Sequence, residues 1–289
     1  MGHILRILGT LSLLGLLAAS LGPANAAQIQ LNGAFKCVAV AGSKTANGTP
    51  VIAFSCSGGP EDRWNYVNGQ FQGIGTANGA AMCLDVKGGG VTAGTLVDLW
   101  PCGTQPNQQW EVEGNQIVAL EAGMCLDSSG GPKAGGGTQL VINVCSTAAS
   151  QDWIVRGLEL ELNTGAPYLC VNVQGSKTAN GTPVMAYSCD GAPNELWNYT
   201  GGQFKGLGTD NGKSTCLDVV GAGTTPGTYV DLWPCGTQLN QQWAILNTGT
   251  ILATQSGLCL DSAGPILGGG TQLVINPCTG ASSQNWNVR

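Results

Sequence analysis

The chain has 289 residues, of which 46 are glycine, 12 are cysteine and only 10% are charged, and its formal net charge is −6. So much glycine and so little charge is typical of a fold with many tight turns, and it excludes long, charged surface helices. The acidic balance argues against nucleic acid and anionic membranes as partners, because both are themselves negatively charged.

The first 26 residues have the pattern of a secretory signal peptide. Arg6 precedes a largely apolar run over residues 7–21, and the triplet Ala24-Asn25-Ala26 follows. A basic start, a short apolar stretch and an A-x-A site predict export and removal of residues 1–26. The apolar run is short for a membrane span and no second run follows it, so we expect a secreted, extracellular protein without membrane insertion.

Export makes the twelve cysteines interpretable, since an even count in an oxidising compartment favours disulfides over metal or redox use. Consecutive cysteines are 19 residues apart within each pair, except in the third pair, where they are 20 apart. The pairs are Cys37/Cys56, Cys83/Cys102, Cys125/Cys145, Cys170/Cys189, Cys216/Cys235 and Cys259/Cys278. The single histidine, His3, lies in the leader, so we expect no metal site, no cofactor and no histidine-based catalysis.

Each cysteine pair marks one copy of a repeated unit, and we number these copies units one to six. A tryptophan follows eight residues after each second cysteine, and units begin 42 to 46 residues apart. These motif tryptophans are Trp64, Trp110, Trp153, Trp197, Trp243 and Trp286, four of them in Q-x-W triplets. Such a period predicts a repeat architecture, either a six-bladed propeller or two bodies of three units.

Internal identity favours two bodies. Three stretches recur unchanged at an offset of 133: residues 43–51 at 176–184, 97–105 at 230–238, and 135–143 at 268–276. Units one to three therefore match units four to six better than they match each other, which indicates a duplicated three-unit domain. We place the two domains at residues 27–156 and 157–289. Short strand-like stretches alternate with glycine-rich turns and no helical period is sustained, so the predicted class is all-β.

Units two and five carry a complete set of three motifs: Cys-Leu-Asp, Leu-Trp-x-Cys and Asn-Gln-x-Trp. Together with the cysteine and tryptophan frame of all six units, this set resembles the ricin B-chain type lectin domain. The resemblance covers essentially the whole chain after the leader. It implies two tandem β-trefoils, in each of which three four-stranded units close a barrel about a pseudo-threefold axis. It also implies shallow sugar sites, one per unit at most, usually for galactose-like or xylan-type sugars, so glycans are the expected partners.

A sugar site needs a carboxylate to accept hydroxyl hydrogen bonds, an aromatic ring to cover the apolar sugar face, and amides at the rim. Units two and five supply all three kinds of side chain: Asp85, Asp98, Trp100, Asn107 and Gln108, and then Asp218, Asp231, Trp233, Asn240 and Gln241. The resemblance implies that Asp85 is the main hydroxyl acceptor, Trp100 the stacking ring and Asn107 a further partner. We expect Gln108 to brace the site.

One departure from the family pattern concerns the position two residues before the stacking tryptophan. The family often has glutamine there, whereas this chain has Asp98 and Asp231. The change adds a carboxylate acceptor and removes an amide donor. Strand alternation puts Asp98 and Trp100 on one face, so the extra acid is expected to face the sugar.

Units three and six are expected to bind little. They keep the aspartates, Asp127 and Asp261, but have Asn143 and Asn276 where the stacking ring would be.

Units one and four are intermediate. Unit one has a ring at Phe54 but Ala39 in place of the aspartate. Unit four has Asn172, Tyr187 and Asn194, which predict a weaker third site.

Three functions remain open on the sequence. The first and preferred one is a non-catalytic lectin whose two sites on separate domains allow avidity. The second is a glycoside hydrolase using Asp85 and Asp98, which is disfavoured because carboxylates in an open, solvated site should lack the raised pKa of a general acid. The third is a trefoil that binds proteins, for example a protease inhibitor, which would be favoured if Trp100 and Trp233 were buried.

Overall fold

The structure, a computed structural model, describes residues 26–74, 81–133, 135–164, 167–206 and 214–288. The predicted leader therefore lies outside the described residues, apart from Ala26. Within these ranges the chain forms 26 β-strands and ten single 3₁₀ turns, with no α-helix, so the all-β prediction is confirmed. No helical segment in the described ranges is long and apolar enough to cross a bilayer.

The strands follow the six units along the chain. Units one to three contain β1 (Gln28–Leu31), β2 (Lys36–Val40), β3 (Thr49–Ser55), β4 (Asn65–Val67), β5 (Gln70–Gly73), β6 (Met82–Val86), β7 (Thr95–Pro101), β8 (Trp110–Glu113), β9 (Gln116–Ala119), β10 (Met124–Asp127), β11 (Thr138–Gln139), β12 (Val141–Asn143) and β13 (Trp153–Leu162). Units four to six share β13 and add β14 (Leu169–Val173), β15 (Thr182–Ser188), β16 (Leu196–Thr200), β17 (Gln203–Gly206), β18 (Thr215–Val219), β19 (Thr228–Pro234), β20 (Trp243–Ile245), β21 (Ile251–Ala253), β22 (Leu258–Asp261), β23 (Ile266–Leu267), β24 (Gly270–Gln272), β25 (Val274–Asn276) and β26 (Trp286–Val288). The 3₁₀ turns are Ala41–Ser43, Pro60–Asp62, Lys87–Gly89, Pro106–Gln108, Ala149–Gln151, Gln174–Ser176, Pro193–Glu195, Val220–Ala222, Leu239–Gln241 and Ser282–Gln284.

Each unit contributes two strands to a barrel and one hairpin to a cap. In the first half, β4 pairs with β5, β8 with β9 and β13 with β1. These three pairings join the barrel strands of one unit to those of the next. The hairpins are β2/β3, β6/β7 and β10/β12, and they pair with one another through β3/β7, β7/β12 and β3/β11. The second half repeats this pattern. Three hairpin-capped units around one barrel make each half a β-trefoil.

The repeated tryptophans lie in the core, as predicted. Each of the six is at most 1% exposed, and each indole N–H donates to a backbone carbonyl in the hairpin of its own unit. In unit two, for example, Trp110 Nε1 donates to Leu84 O at 2.9 Å. The ring thus fills the barrel and ties the hairpin to it.

The twelve cysteines, all within the described residues, form the six predicted disulfides and leave no free thiol. The bridges are Cys37–Cys56, Cys83–Cys102, Cys125–Cys145, Cys170–Cys189, Cys216–Cys235 and Cys259–Cys278. Closing a loop of this length stabilises the fold by about 3 kcal/mol on the chain-entropy model.

The two cysteines of each bridge lie in different surroundings. The first cysteine of every pair is completely buried in the first strand of its hairpin, as Cys83 is in β6. The second cysteine comes one or two residues after the second strand has ended, and it is not a core residue. Cys56, Cys102, Cys189 and Cys235 are partly buried, whereas Cys145 and Cys278 are exposed. Each bridge therefore ties the open end of a hairpin, at the surface, to a strand that is anchored in the core.

The two trefoils are joined by strand pairing as well as by the chain. β13 passes through the predicted boundary at residues 156/157, with Gly157 at a φ of 70° and a shift of register there. Residue pairs that bridge the halves are Val155 with Tyr199, Val288 with Tyr66, and Ile245 with Val112. The offset of 133 exchanges the first two pairs and maps the third onto itself, so the contact has pseudo-twofold symmetry. Buried apolar residues of both halves form one cluster; the exact domain boundary stays a prediction.

Candidate functional site

In unit two the strand register brings two carboxylates together. Asp85 on β6 lies directly opposite Asp98 on β7, so both side chains point to the same face of the hairpin. Trp100 lies on this face too, because it is two residues beyond Asp98. Leu84 and Leu99 alternate to the other face, where both are completely buried in the core. The alternation predicted from the sequence is therefore what places Asp98 beside Trp100.

The 3₁₀ turn at Pro106–Gln108 supplies two amides that hold Asp85. Asn107 Nδ2 donates to Asp85 Oδ2 at 3.0 Å and Gln108 Nε2 donates to the same oxygen at 2.9 Å. Gln108 is completely buried, and its Oε1 accepts from Gly103 N at 2.8 Å. Gln108 is thus a brace, as expected, and the Oδ1 atom of Asp85 is the oxygen available to a ligand.

A cavity of about 770 Å³ opens over these groups. Its lining includes Asp85, Asp98, Trp100 and Asn107. Trp100 is 42% exposed, so its ring lies at the mouth of this cavity and is not a core side chain. The burial of Trp100 that would have favoured a protease inhibitor is therefore not observed.

Unit five builds the same arrangement. Asp218 lies opposite Asp231, and Gln241 Nε2 donates to Asp218 Oδ2 at 2.8 Å. Asn240 Nδ2 lies 2.9 Å from both Asp218 Oδ1 and Asp218 Oδ2, a difference from unit two, where Asn107 contacts Oδ2 of the aspartate. Trp233 is also 42% exposed and borders a smaller cavity of about 410 Å³. All ten residues predicted for the two full sites are therefore brought together, five in each unit.

The carboxylates of both sites have raised pKa values. Burial and, to a smaller extent, the charge of Asp85 raise the pKa of Asp98 to about 6, against the opposing effect of Lys87. Asp231 likewise has a pKa of about 6, from burial and the charge of Asp218. Burial also raises the pKa of Asp85, against the hydrogen bonds from its two amides. The expectation that these acids keep ordinary pKa values is therefore wrong, because the hairpin face buries them more deeply than an open surface would.

In units three and six an asparagine occupies the space where a stacking ring would lie. Asn143 Nδ2 donates to Asp127 Oδ2 at 3.1 Å, and its Oδ1 accepts from Gly94 N at 2.9 Å. Burial would raise the pKa of Asp127, but side-chain hydrogen bonds, including those from Gln151 and Asn143, outweigh it and lower the pKa. The Oδ2 atom of Asp127 is thus already occupied by amides of its own unit.

Unit six repeats the arrangement. Asn276 Nδ2 donates to Asp261 Oδ2 at 3.1 Å, and Gln284 Nε2 donates to the same oxygen at 2.8 Å.

In unit four the acid and the amide have exchanged positions. Glu195 stands where other units have glutamine and is completely buried, accepting from the backbone N–H groups of Asp190 and Gly191. Asn172 stands in the aspartate position and accepts from Asn194 Nδ2 at 2.7 Å. Together with the half-exposed Tyr187, these residues border a cavity of about 350 Å³. The carboxylate therefore lies beneath this cavity, and an amide faces it.

In unit one the buried acid is Asp62, which accepts from Gln28 Nε2 at 3.0 Å and from Ser57 N at 2.7 Å. Ala39, which stands in the aspartate position of unit one, has no polar side-chain group. Unit one therefore lacks a carboxylate at this position, as predicted.

Residues from neighbouring units complete the two full sites, and sequence reasoning missed them. Gly48 of unit one has a φ of 78°, and a Cβ built there would lie 3.8 Å from Asp98 Oδ2 and 3.9 Å from Trp100. Glu121, between β9 and β10, also lines the unit-two cavity, as does Lys87 of unit two itself. The unchanged recurrence of residues 43–51 at 176–184 was a usable signal, since Gly181 lies in the same relation to Asp231 and Trp233.

A family model described as "Ricin-type beta-trefoil lectin domain" matches residues 26–153 and again residues 159–286. Since these matches cover most of the chain, it belongs to the ricin-type β-trefoil lectin family. Carbohydrate binding is the general function that this membership supports.

Several relatives are themselves described as lectins. "Beta-galactoside-specific lectin 3" of Viscum album is 31% identical over 126 residues, which are 42% of this chain and 21% of that protein. "Agglutinin-1" of Abrus precatorius is 31% identical over 109 residues, 36% of this chain and 19% of that protein. This chain thus spans a small part of the length of these relatives.

Solved structures give similar matches. A non-toxic homologue of type II RIPs from Momordica charantia, in complex with α-methyl-D-galactoside, has a TM-score of 0.38 at 19% identity, covering 91% of this chain and 97% of that one. The earthworm R-type lectin C-half in complex with GalNAc has a TM-score of 0.37 at 20% identity, covering 46% and 98%.

Proposed function

We propose that this chain is a secreted, non-catalytic lectin with two sugar sites, one in unit two and one in unit five. The observation that carries the proposal is that both units, alone among the six described, combine a half-exposed tryptophan with an amide-braced aspartate at a cavity. Asp85 and Asp218 accept hydrogen bonds from sugar hydroxyls, while Trp100 and Trp233 cover the apolar sugar face.

The proposed ligand class is galactose-like or xylan-type sugars. Support for the first comes from relatives, since one is described as specific for β-galactosides and two solved neighbours contain a galactoside and GalNAc. Both sugar types present an apolar ring face to an indole and neighbouring hydroxyls to a carboxylate, which is what the two units offer. Unit four, with Asn172, Tyr187 and Asn194, is a weaker third site because it offers an amide where the others offer a carboxylate.

Two sites on separate trefoils make the chain bivalent toward a glycan-coated surface. Linked sites raise the apparent affinity without any new contact, since the second binding event takes place at a high effective concentration. The six disulfides support secretion, because such bonds persist in oxidising compartments. The predicted leader at residues 1–26 supplies the route.

Substituting the two anchoring carboxylates tests the proposal. We expect Asp85→Ala combined with Asp218→Ala to abolish retention on galactose- and xylan-derivatised resins, and each single variant to elute earlier than the wild type. Asp127→Ala combined with Asp261→Ala is the matched control, because these acids hold the same kind of amide brace in units three and six. Unchanged retention of the first double variant, with near-UV circular dichroism intact, would disprove the two sites.

A glycoside hydrolase is the second candidate, favoured by the raised pKa values of Asp98 and Asp231. Against it, Asp85 and Asp98 lie side by side on one hairpin face, so a sugar meets both from the same side. Glycoside hydrolysis needs two carboxyl groups flanking the scissile bond. Release of nitrophenol from nitrophenyl galactosides or xylosides, lost in Asp98→Asn, would establish catalysis and overturn the non-catalytic proposal.

A further inference from the structure

Asp98 and Asp231 are buried acids that accept no hydrogen bond from a described residue. Asp98 is 4% exposed and Asp231 is 8% exposed, and the Oδ1 atom of each is fully buried with no hydrogen bond among the described residues. The contrast is with Asp85, whose Oδ2 accepts two amide hydrogen bonds from the same unit. The Oδ1 atoms of Asp127 and Asp261 are also buried and unpaired, but the Oδ2 atom of each accepts two amide hydrogen bonds. Asp98 and Asp231 accept none from a described residue on either oxygen, so their Oδ2 atoms are the ones that a ligand donor can satisfy.

Both acids face the cavities described above. The position that a Cβ of Gly48 would take lies 3.8 Å from Asp98 Oδ2 and 3.9 Å from the Trp100 ring, which places that oxygen at the cavity wall beside the indole. Gly181 lies in the same relation to Asp231 and Trp233. The partner opposite Asp98 across the strands is Asp85, and Cβ atoms of such pairs are about 4.5–5.5 Å apart. Two carboxylates and one aromatic ring therefore converge on one small region.

The charged groups that line the two cavities give each cavity a net negative charge. The charged groups lining the unit-two cavity are Asp85, Asp98, Glu121 and Lys87, three acids against one base. The unit-five cavity has Asp218 and Asp231 and no charged base among its described lining residues. A sugar carrying a carboxylate would be repelled by both cavities. A neutral sugar can donate hydroxyl hydrogen bonds but leaves two like charges close together.

A protonated amine suits a cavity that has a net negative charge, two neighbouring carboxylates and an exposed indole ring. It carries the compensating charge, it has three N–H donors to share between two carboxylates, and it is attracted to the face of an indole ring. We propose that both sites select sugars with a free, protonated amino group over their N-acetylated and neutral counterparts, and that Asp98 and Asp231 set this selectivity. The proposal rests on the proposed function, since it names the sugar class that the same two sites prefer.

The pKa values near 6 at Asp98 and Asp231 give the selectivity a pH dependence. An ammonium group binds the deprotonated pair, so raising the pH from 5 to 7 strengthens amino-sugar binding. Protonation relieves the repulsion within the pair, so binding of a neutral sugar does not strengthen over the same range. Asp85 and Lys87 act on Asp98 and Glu121 lines the same cavity, while Asp218 lies opposite Asp231.

Calorimetric titration of the whole chain at pH 7 with galactosamine, N-acetylgalactosamine and galactose tests the selectivity. We expect galactosamine to bind at least tenfold more tightly than the other two sugars. In the isosteric variant Asp98→Asn with Asp231→Asn, the three affinities are expected to lie within threefold of one another. Asp127→Asn with Asp261→Asn is the matched control and should keep the wild-type ratio.

Galactosamine binding no tighter than galactose binding overturns the proposal, including the case in which none of the three sugars binds. A preference that survives Asp98→Asn with Asp231→Asn also overturns it. So does galactose binding that requires added calcium and is abolished by EDTA, because the missing donor would then be replaced by a metal ion. If the amino preference fails while Asp85→Ala with Asp218→Ala still loses resin retention, the lectin proposal stands alone.

Discussion

Replacing Gln108 by alanine tests whether the buried amide holds the fold and the site together. Gln108 Nε2 donates to Asp85 Oδ2 at 2.9 Å and to Pro101 O at 3.0 Å. Its Oε1 accepts from Gly103 N at 2.8 Å and from Gln70 Nε2 at 3.2 Å. Each hydrogen bond contributes about 1 kcal/mol net, so we expect Gln108→Ala to lower the free energy of unfolding by about 3 kcal/mol, with water restoring part of the loss.

Unit three supplies the matched control. Gln151 Nε2 donates to Asp127 Oδ2 at 2.9 Å and to Val144 O at 3.0 Å, and its Oε1 accepts from Ser146 N at 2.7 Å. Gln151→Ala should therefore destabilise the protein by a similar amount. Only Gln108→Ala should also weaken sugar binding, because unit three has no stacking ring beside its aspartate.

Guanidinium unfolding followed by tryptophan fluorescence measures the stability, and retention on a galactose resin measures the binding. A loss of stability below about 1 kcal/mol in both variants would refute the structural role given to these amides. Equal loss of retention in Gln108→Ala and Gln151→Ala would indicate that binding depends only on overall stability. That result would refute the specific role of Gln108 in the unit-two site.

Two further predictions concern the ring and the second acid. Trp100→Ala with Trp233→Ala should reduce sugar affinity at least tenfold, measured by calorimetry, yet change the free energy of unfolding by less than about 1 kcal/mol because both rings are half exposed. Asp98 and Asp231 titrate near pH 6 in the folded protein but near 3.8 in the unfolded chain. They therefore destabilise the fold at neutral pH, and this penalty disappears as the pH falls through 6 toward 4. Asp98→Asn with Asp231→Asn should be more stable than the wild type at pH 7 by about 1 kcal/mol per site, allowing for solvent screening, and equal to it at pH 4. Equal unfolding free energies at pH 7 would contradict the raised pKa values.

Much of the fold was predictable because its determinants are local or strictly repeated. A cysteine spacing of about 19 residues brackets one hairpin, and a tryptophan eight residues later returns to the barrel, so both could be identified without knowing how the units pack. The same locality explains why Asp98 and Trp100 were correctly placed on one face. Strand alternation needs only the neighbouring residues.

The burial of the acids was not predictable in the same way. An open sugar site suggested ordinary pKa values, but Asp98 lies opposite Asp85 in a register that only the hairpin pairing establishes. In unit four, Asn172 stands in the aspartate position and Glu195 in the glutamine position. This exchange of acid and amide depends likewise on a tertiary contact, the hydrogen bond from Asn172 to Glu195. Neither effect follows from one residue's identity, because each arises from what the opposing strand or turn supplies.

The sequence by itself determined the six units, their grouping into two threes, the disulfide frame, the core tryptophans and the two units that combine an aspartate pair with a tryptophan. Only the tertiary structure decided what surrounds those units: Gly48 from unit one, Glu121 from the turn between β9 and β10, and the strand pairs that join the two trefoils. The physical reason is that a hairpin's own contacts follow from a few consecutive residues, whereas the walls of each cavity form when three hairpins close around a barrel.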